Sequence, residues 1–572
     1  MTDKTGMRRG LTRYGDEEFS LYLRTVFIKG MGYSNDALSR PVVGIANTFS
    51  GFNACHGNVP QIIEAVKRGV MLAGGLPVEF PTISLHESFS YPTSMYLRNL
   101  MSMDTEEMLR ALPMDSCVLI GGCDKTVPAQ LMAAASANVP AISVVTGPML
   151  SGAHRGERVG ACSDCRRFWG EYRGGRIDQD EIAEVTDSLV PTTGTCGVMG
   201  TASTMACMTE ALGMMLPGGA TIPAVHADRL RHAEAAGTQA MKLAQGGPKP
   251  SEIMTPASIK NSLRVLLALG GSTNGIVHMA AVAGRLGIRL DMEAFDALGA
   301  ETPVLVDLNP TGRYYMDDLH RAGGMAAILR ELKPLLDLDC MTVTGRTLGE
   351  EIEEMPAAHE QDVVRPLSNP IHSGGGVAFL KGNLAGDGAI IKQSACSPEL
   401  LVHSGRAVVF DSLEDLADRI DDDALDVTKD DVLVLRNAGP KGAPGMPEAG
   451  YIPIPKKLAV QGVKDMVRIS DCRMSGTAFG AIVLHADPEA AMGGPLALVQ
   501  SGDMIHLDVP NRSLSLDVDD AEMERRRSNW TPPPASGEQR GYNKLFMDQV
   551  NQAGEGVDFD FLTRRPFTEK TP

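Results

Sequence analysis

The chain has 572 residues, 43% of them hydrophobic and 22% charged, with a net charge of −18. That balance excludes wholesale disorder, and at ~150 residues per domain the length predicts several domains or two large ones. An acidic chain is a poor match for a nucleic-acid polyanion or an anionic membrane surface, so neither is expected as a partner.

The first nineteen residues are polar and carry no apolar core of a secretory signal, so a cytoplasmic protein is expected. The longest charge-free stretch, 126–153, contains Pro128, Pro140 and Pro148, which does not read as a membrane span. In the cytoplasm ten cysteines are read as ligands or packing residues, not as a disulfide framework.

Residues 42–46 read as a strand, and 59–73 as a helix with Ile62, Ile63, Val66, Val70 and Met71 on one face. A buried strand over 117–120 leads through Gly121-Gly122-Cys123-Asp124-Lys125 into a helix over 131–137 and a strand over 141–145. This is a βαβ unit with a parallel sheet. A further helix is expected over 197–216. The pattern breaks between 355 and 373, and short glycine-separated strands follow over 377–380, 389–392, 407–410, 432–435, 466–469 and 481–485. Ile505, Leu507 and Val509 alternate with polar residues, and Pro510-Asn511-Arg512 turns the chain into Leu514, Leu516 and Val518. That is a hairpin, and the region predicts a β-barrel or sandwich. The expected architecture is an α/β domain with a parallel sheet over 1–370 and a β-barrel-like domain over 371–572. The polar tail after Glu522, with Pro532-Pro533-Pro534, is expected to wrap over a surface.

Cys55 lies in a polar loop after the first strand, Cys123 at a strand-to-helix turn, and Cys196 at the start of the expected helix. Helix N-termini lower thiol pKa values and suit thiolates or an electron-rich cluster. The gaps between them are far longer than zinc-finger spacings, so a shared site would have to be assembled by the fold. Cysteine as a small buried hydrophobe is the plain alternative, and glycine-flanked loops are poor places for it. Cys162-Ser163-Asp164-Cys165 is a single C-x-x-C without a second pair, read as structural with redox a minor alternative. Cys117, Cys207, Cys340, Cys396 and Cys472 read as packing. Ser373-Gly374-Gly375-Gly376 and Gly270-Gly271-Ser272-Thr273-Asn274 do not fit the P-loop pattern and read as tight turns near a polar ligand.

Several longer motifs stand in one order: Gly122-Cys123-Asp124-Lys125, the run 195–205 beginning Thr195-Cys196-Gly197, Gly270–Asn274, Gly442-Ala443-Pro444-Gly445-Met446-Pro447-Glu448, and Asp471-Cys472-Arg473-Met474-Ser475-Gly476-Thr477. Over nearly its whole length the chain resembles the dihydroxyacid, phosphogluconate and sugar-acid dehydratase family. The resemblance implies an α/β domain and a β-barrel domain with the active site between them, completed at a dimer interface, as a homodimer or dimer of dimers. It assigns Cys55, Cys123 and Cys196 to an iron–sulfur cluster, expected as 2Fe-2S with 4Fe-4S the alternative. Three thiolates leave one iron position without a protein ligand, as a Lewis acid needs. It assigns Glu87, Asp124 and Glu448 to Mg²⁺, with Lys125 as a carbamate that converts a cation into a hard oxygen donor; the alternative is a plain ammonium paired with Asp124 or substrate. Ser475 matches the family's catalytic serine, an alkoxide base that needs cationic neighbours, and Thr477 a substrate hydrogen-bond donor.

Two positions depart from the branched-chain members of the family. His56 stands where they carry Asn, and His86-Glu87-Ser88 where they carry an Asp motif. The Glu version, with Pro92-Thr93 and Arg98-Asn99 downstream, looks like the sugar-acid branch, and no basic cluster marks a phosphosugar site. The expected function is therefore a hydro-lyase converting a pentonate or hexonate to its 2-keto-3-deoxy acid. The alternatives are a branched-chain dihydroxyacid dehydratase and, from another class, a non-catalytic iron–sulfur electron-transfer or sensor protein.

Overall fold

Four fully parallel strands build the N-terminal sheet: β1 (Val42–Asn47), β2 (Leu76–Pro81), β3 (Ser116–Gly121) and β4 (Ala141–Val145), in the order β2-β1-β3-β4. The computed structural model describes residues 5–357, 359–534 and 537–572. Strands β3 and β4 are buried at every position, which is why they read as continuous apolar runs. Helix α1 (Val59–Leu72) connects β1 to β2, α2 (Ser94–Ala111) connects β2 to β3, and α3 (Thr126–Ala137) connects β3 to β4. The chain leaves β1 toward one edge and β3 toward the other. The crevice beyond the C-terminal ends of β1 and β3 is thus a switch point, where open α/β sheets place ligands. It receives the loops that carry Cys55 and Cys123.

Helix α4 (Ser163–Arg173) follows a small hairpin, and α5 (Thr201–Ala211), α6 (Ala227–Ala244), α7 (Pro256–Ala268) and α8 (Asn274–Arg285) complete the layer that matters for the site. Helix α6 lies against α1 at backbone distance. A Cβ on Gly69 would stand 1.9 Å from the Glu234 carbonyl oxygen, and one on Gly237 2.3 Å from that of Val66. Only glycine permits that approach.

Eight strands close the C-terminal barrel: β5 (Ala378–Gly382), β6 (Ala385–Ile391), β7 (Val402–Phe410), β8 (Val432–Leu435), β9 (Arg468–Ser470), β10 (Ile482–Asp487), β11 (Met504–Asp508) and β12 (Ser513–Leu516). Around the barrel they run β7-β8-β9-β10-β6-β5-β12-β11. The hairpin expected at 510–512 is the antiparallel pair β11–β12, with Ile505 opposite Leu516. On β8, Val432 and Val434 belong to one apolar core while Leu433 and Leu435 belong to a second. Burial on both faces explains the unbroken apolar run.

Two expectations are corrected. The helix expected from 197 begins at Thr201, since Gly197 through Gly200 form a turn that bonds to the Asn309 carbonyl through Met199. Cys196 therefore lies outside the helix, not at its start. The C-terminal tail is a surface wrap only in its first part, where the described residues from 524 to 545 are mostly exposed. Helix α9 (Gly541–Gln549) and the segment after it bury Phe546 and Phe559 against Met95, Val277 and Met446, joining both halves of the chain. Arg98 donates to the Gly556 and Val557 carbonyls at 2.8 Å, and Arg285 pairs with Asp558. Arg98 and Asn99 thus hold the tail and do not face a ligand. Among the described residues no helix is long and apolar enough to cross a membrane.

Candidate active site

The three expected cysteines come together from three loops. Cys55 follows β1 and Cys123 follows β3, and their sulfurs lie within 4.8 Å of each other. The Cys196 loop is tied to the loop after β4 by Thr195 N–H to Gly147 (2.9 Å) and Met149 N–H to Thr195 (2.8 Å), and Gly194 N–H reaches Ala54 O at 3.1 Å. Gly122 is required beside Cys123, because a Cβ there would lie 2.0 Å from Thr146 Oγ1 and 2.9 Å from the Cys55 carbonyl oxygen. Two features went unread in the sequence. His86 stands with Cys55 and Cys123, one donor atom of each within 4.8 Å of the others. Cys162 contributes a fourth thiol, its Sγ 3.2 Å from Cys196 Sγ, so the structural reading of the C-x-x-C holds only for Cys165, which packs beside Val159 and Phe168. Nor are the thiols of Cys55 and Cys196 lowered by helix ends. Hydrogen bonding to Cys123, then burial, pushes Cys55 well up, and hydrogen bonding to Cys162, then burial, does the same for Cys196. Soft thiolate binding would have to displace those protons, as cluster assembly does.

The acidic set is assembled next to the sulfurs through the consecutive residues Cys123, Asp124 and Lys125. Oxygens of Glu87, Asp124 and Glu448 lie within 4.8 Å of one another. The fully buried Lys125 places Nζ 3.0, 3.6 and 3.8 Å from Glu87, Asp124 and Glu448 respectively. Arg473, also fully buried, bridges Glu87 and Glu448 and donates to Thr93 Oγ1 at 2.8 Å. Burial opposes ionisation of Glu87, but Lys125 and Arg473 overcome it and hold its carboxyl well below the usual range, helped by the hydroxyl of Ser94. Glu448 is raised instead, by burial and by the charge of Glu87. Three hard oxygens around one point suit Mg²⁺, and the cysteines beside them suit iron, so the two donor sets fit two different metals.

Ser475 and Thr477 sit on the turn after β9, their hydroxyls 2.8 Å apart, with Ser475 only 9% exposed. The glycine–serine motif at 270–274 proves to be the support beneath them. A Cβ on Gly476 would meet Ser272 Cβ at 2.6 Å, Ser272 Oγ bonds Thr201 Oγ1 at 2.8 Å, and Asn274 Nδ2 donates to Glu448 Oε1 at 3.0 Å. Asn274 thereby positions a carboxylate 174 residues away in sequence. Lys392, fully buried on the barrel side, donates to the Gly476 carbonyl at 3.3 Å, and burial brings its pKa down to about 8.

Thr477 also lines a cavity of about 700 Å³. Its wall carries Arg158, Arg166, Arg167, Arg313 and Lys464, with Asn309 among them. These cationic residues are scattered along the chain and folding gathers them, together with Glu157 and Asp164, and Arg313 is paired with Asp307. Arg158 and Arg167 are paired with Asp318 and Asp164, whereas Arg166 lies over the ring of Tyr451 at 4.8 Å.

His56 is a positioning residue. Its Nδ1 contacts the Thr48 carbonyl at 2.8 Å, and Nε2 accepts from the N–H groups of Gly122 (3.0 Å) and Cys123 (3.2 Å). Neutral His56 therefore clamps the turn that carries Cys123. Burial lowers its pKa to about 4 from an ordinary 6.5. Between those values the unfolded chain binds a proton that the folded chain refuses, so stability falls as pH drops from 6.5 toward 4. His56→Asn is expected to lower the melting temperature at pH 7.5 through lost buried hydrogen bonds, at about 1–3 kcal/mol. It should also flatten the decline between pH 6.5 and 4.5. Calorimetry across that range checks both, and an unchanged slope would remove His56 from the acid response.

Comparison with known proteins agrees with this arrangement. The family models described as dihydroxy-acid/6-phosphogluconate dehydratase N-terminal and C-terminal match residues 40–351 and 362–557. The chain is 46% identical to an L-arabinonate dehydratase of Rhizobium leguminosarum bv. trifolii (strain WSM2304) over 555 residues, covering 96% of this chain and 95% of that one. It is 46% identical over 528 residues to a 6-deoxy-6-sulfo-D-gluconate dehydratase of Pseudomonas putida, covering 92% and 91%. A dihydroxy-acid dehydratase of Acetivibrio thermocellus is 40% identical over 539 residues, covering 92% and 96%. The chain belongs to the dihydroxy-acid/6-phosphogluconate dehydratase family.

Proposed function

We propose that the protein is a hydro-lyase that removes water from an aldonic sugar acid, a pentonate or hexonate, to give the 2-keto-3-deoxy acid. The observation that carries this reading is the polar cavity that opens on Thr477 and is lined by four arginines, a lysine, Glu157 and Asp164. A polyhydroxylated anion finds hydrogen-bond partners there that the branched alkyl tail of a dihydroxyisovalerate could not use. The identities of 46% to two sugar-acid dehydratases against 40% to the dihydroxy-acid enzyme point the same way.

In this reading Cys55, Cys123 and Cys196 would hold an iron–sulfur cluster, expected as 2Fe-2S, and Glu87, Asp124 and Glu448 would hold Mg²⁺. When bound, these groups supply Lewis acidity toward the substrate oxygens. Lys125 is read as a carbamate because its Nζ competes for the same three carboxylates that a divalent cation needs. As an ammonium it would sit against the metal; as a carbamate it adds an oxygen donor. Ser475 as the alkoxide takes the α-proton at Oγ, Thr477 donates to a substrate oxygen, and the β-hydroxyl departs as hydroxide that recovers this proton as water, restoring the alkoxide, while the resulting enol tautomerises to the ketone. Arg473 and Asn274 hold Glu87 and Glu448 in place throughout. The exposed Phe49, Phe52, Phe89 and Tyr91 beside the Cys55 and Glu87 loops support an assembly of at least two copies, which light scattering of the purified protein would test.

The deciding experiment offers anaerobically purified protein a panel of C4–C6 aldonic acids and dihydroxyisovalerate and assays the 2-keto acid formed. Turnover of the best sugar acid is expected to exceed that of dihydroxyisovalerate by ~10²-fold or more. Equal or reversed preference would sink the sugar-acid reading, and a reversible redox couple without any dehydration would make the protein an electron carrier. Chelation by EDTA is expected to abolish turnover while leaving the visible absorbance, with Mg²⁺ restoring it. Activity indifferent to EDTA would count against the carboxylate site.

A further inference from the structure

Cys162 precedes α4 as its N-cap residue, and its Sγ lies 3.2 Å from Cys196 Sγ. The two other thiols of the site are closed off, Cys55 at 7% and Cys123 at 4% exposure, whereas Cys162 and Cys196 are half-buried. The helix that begins after Cys162 supplies Ser163, Asp164 and Arg166 to the wall of the cavity that Thr477 lines. A disulfide needs its sulfurs at about 2.05 Å, a closure of about an ångström, within the range of side-chain rotation.

We propose that Cys162 and Cys196 form a reversible disulfide whenever Cys196 is not engaged by metal, and that this bond locks the cluster out of the site. The inference rests on Cys196 being a cluster ligand. The oxidant is a hydroperoxide. One thiolate attacks the peroxide O–O bond and becomes a sulfenic acid, releasing alkoxide from an organic hydroperoxide or hydroxide from hydrogen peroxide, which takes up the thiol's proton to leave as alcohol or water. The second thiolate then displaces the sulfenic oxygen as water and forms the S–S bond. Overall two thiols and one H₂O₂ give one disulfide and two waters, with two electrons passing from sulfur to oxygen. A disulfided Cys196 offers no thiolate, so iron and sulfide cannot be taken up until a dithiol reductant reopens the pair. Cys162 is in this view a guard for its neighbour: it diverts the sulfenic acid into a reducible bond before further oxidation makes the damage permanent.

The test uses the full-length protein stripped of iron under argon, treated with one equivalent of hydrogen peroxide, blocked with iodoacetamide and digested without reductant. Mass spectrometry is expected to find the peptides of Cys162 and Cys196 joined, and separated by dithiothreitol. Iron uptake on reconstitution with ferrous iron and sulfide is expected to fall at least tenfold in the oxidised protein and to return after dithiothreitol. Reduced Cys162→Ser protein is expected to take up iron as the wild type does. After peroxide it should show no disulfide at Cys196 and a larger fraction of sulfinic acid there. The proposal is overturned if the link is between Cys55 and Cys123 or is absent, if oxidised wild type takes up iron undiminished, or if reduced Cys162→Ser fails to bind iron, which would make Cys162 a ligand. Reduced Cys196→Ser protein keeps the two questions apart, since full iron uptake by that variant overturns the ligand reading itself.

Discussion

Ser475→Ala is expected to abolish dehydration while leaving fold, iron content and Mg²⁺ binding intact. The Ser475 hydroxyl contacts Thr477, through its Oγ1 at 2.8 Å and its N–H at 3.4 Å, so its removal breaks no support of the turn. That support comes from Ser272 beneath Gly476 and from Lys392 on the Gly476 carbonyl. What disappears is the oxygen proposed to accept the α-proton. Removal of a general base costs ~10²–10⁴-fold in turnover. His56, the next candidate by sequence, has both ring nitrogens engaged with backbone and is held neutral by burial. The measurement is turnover together with exchange of the α-deuterium of labelled substrate, at full iron occupancy. Retention of more than about a tenth of wild-type turnover would fall outside the general-base range and assign the proton to another residue.

Serine in place of Cys55, Cys123 or Cys196 is expected to remove visible iron–sulfur absorbance and dehydration together, with activity down ~10³-fold or to background, because a lost thiolate removes a metal ligand and with it the Lewis acid. Each loop is held independently of its sulfur. Thr195 and Gly194 anchor the Cys196 loop through backbone bonds, and His56 holds the turn at Cys123. The variants should therefore fold with unchanged far-ultraviolet circular dichroism. Cys165→Ser is the control, expected to change neither absorbance nor activity, since Cys165 lies in the small apolar cluster with Phe168 and Leu189. If Cys165 proved necessary for iron content and Cys55 did not, the ligand set would have to be redrawn.

Strands β1, β3, β4 and β8 were legible because burial on both faces leaves a continuous apolar run, and α1 because its apolar residues recur at helical spacing. The hairpin β11–β12 announced itself by alternation and by its turn residues. Residues 197–200 were misread because Val198 and Met199 continue the apolar pattern of α5 while glycines on either side release the backbone from it. The tail was misread because the apolar groups around Phe546 and Phe559 are short and broken by polar residues. Their burial depends on a groove made by Met95, Val277 and Met446, which come from distant parts of the chain.

The sequence by itself determined the elements and the identity of the chemistry-bearing side chains, because propensity, periodicity and ordered motifs are written within short windows. It placed Glu87, Asp124, Lys125 and Glu448 in one set and Ser475 on its turn only through resemblance to a family. Tertiary structure decided which further groups those residues face. His56 became a clamp because β1 and β3 are neighbours in the sheet, so that a loop after one reaches the backbone of the loop after the other. Asn274 came under Glu448, Arg473 between two carboxylates, Cys162 beside Cys196, and five scattered cations around one cavity. Each of these is a contact between residues far apart in the chain. Hydrogen-bond and ion-pair energies fall off within a few ångströms, so which groups interact is set by the packing of the whole chain and by no local pattern.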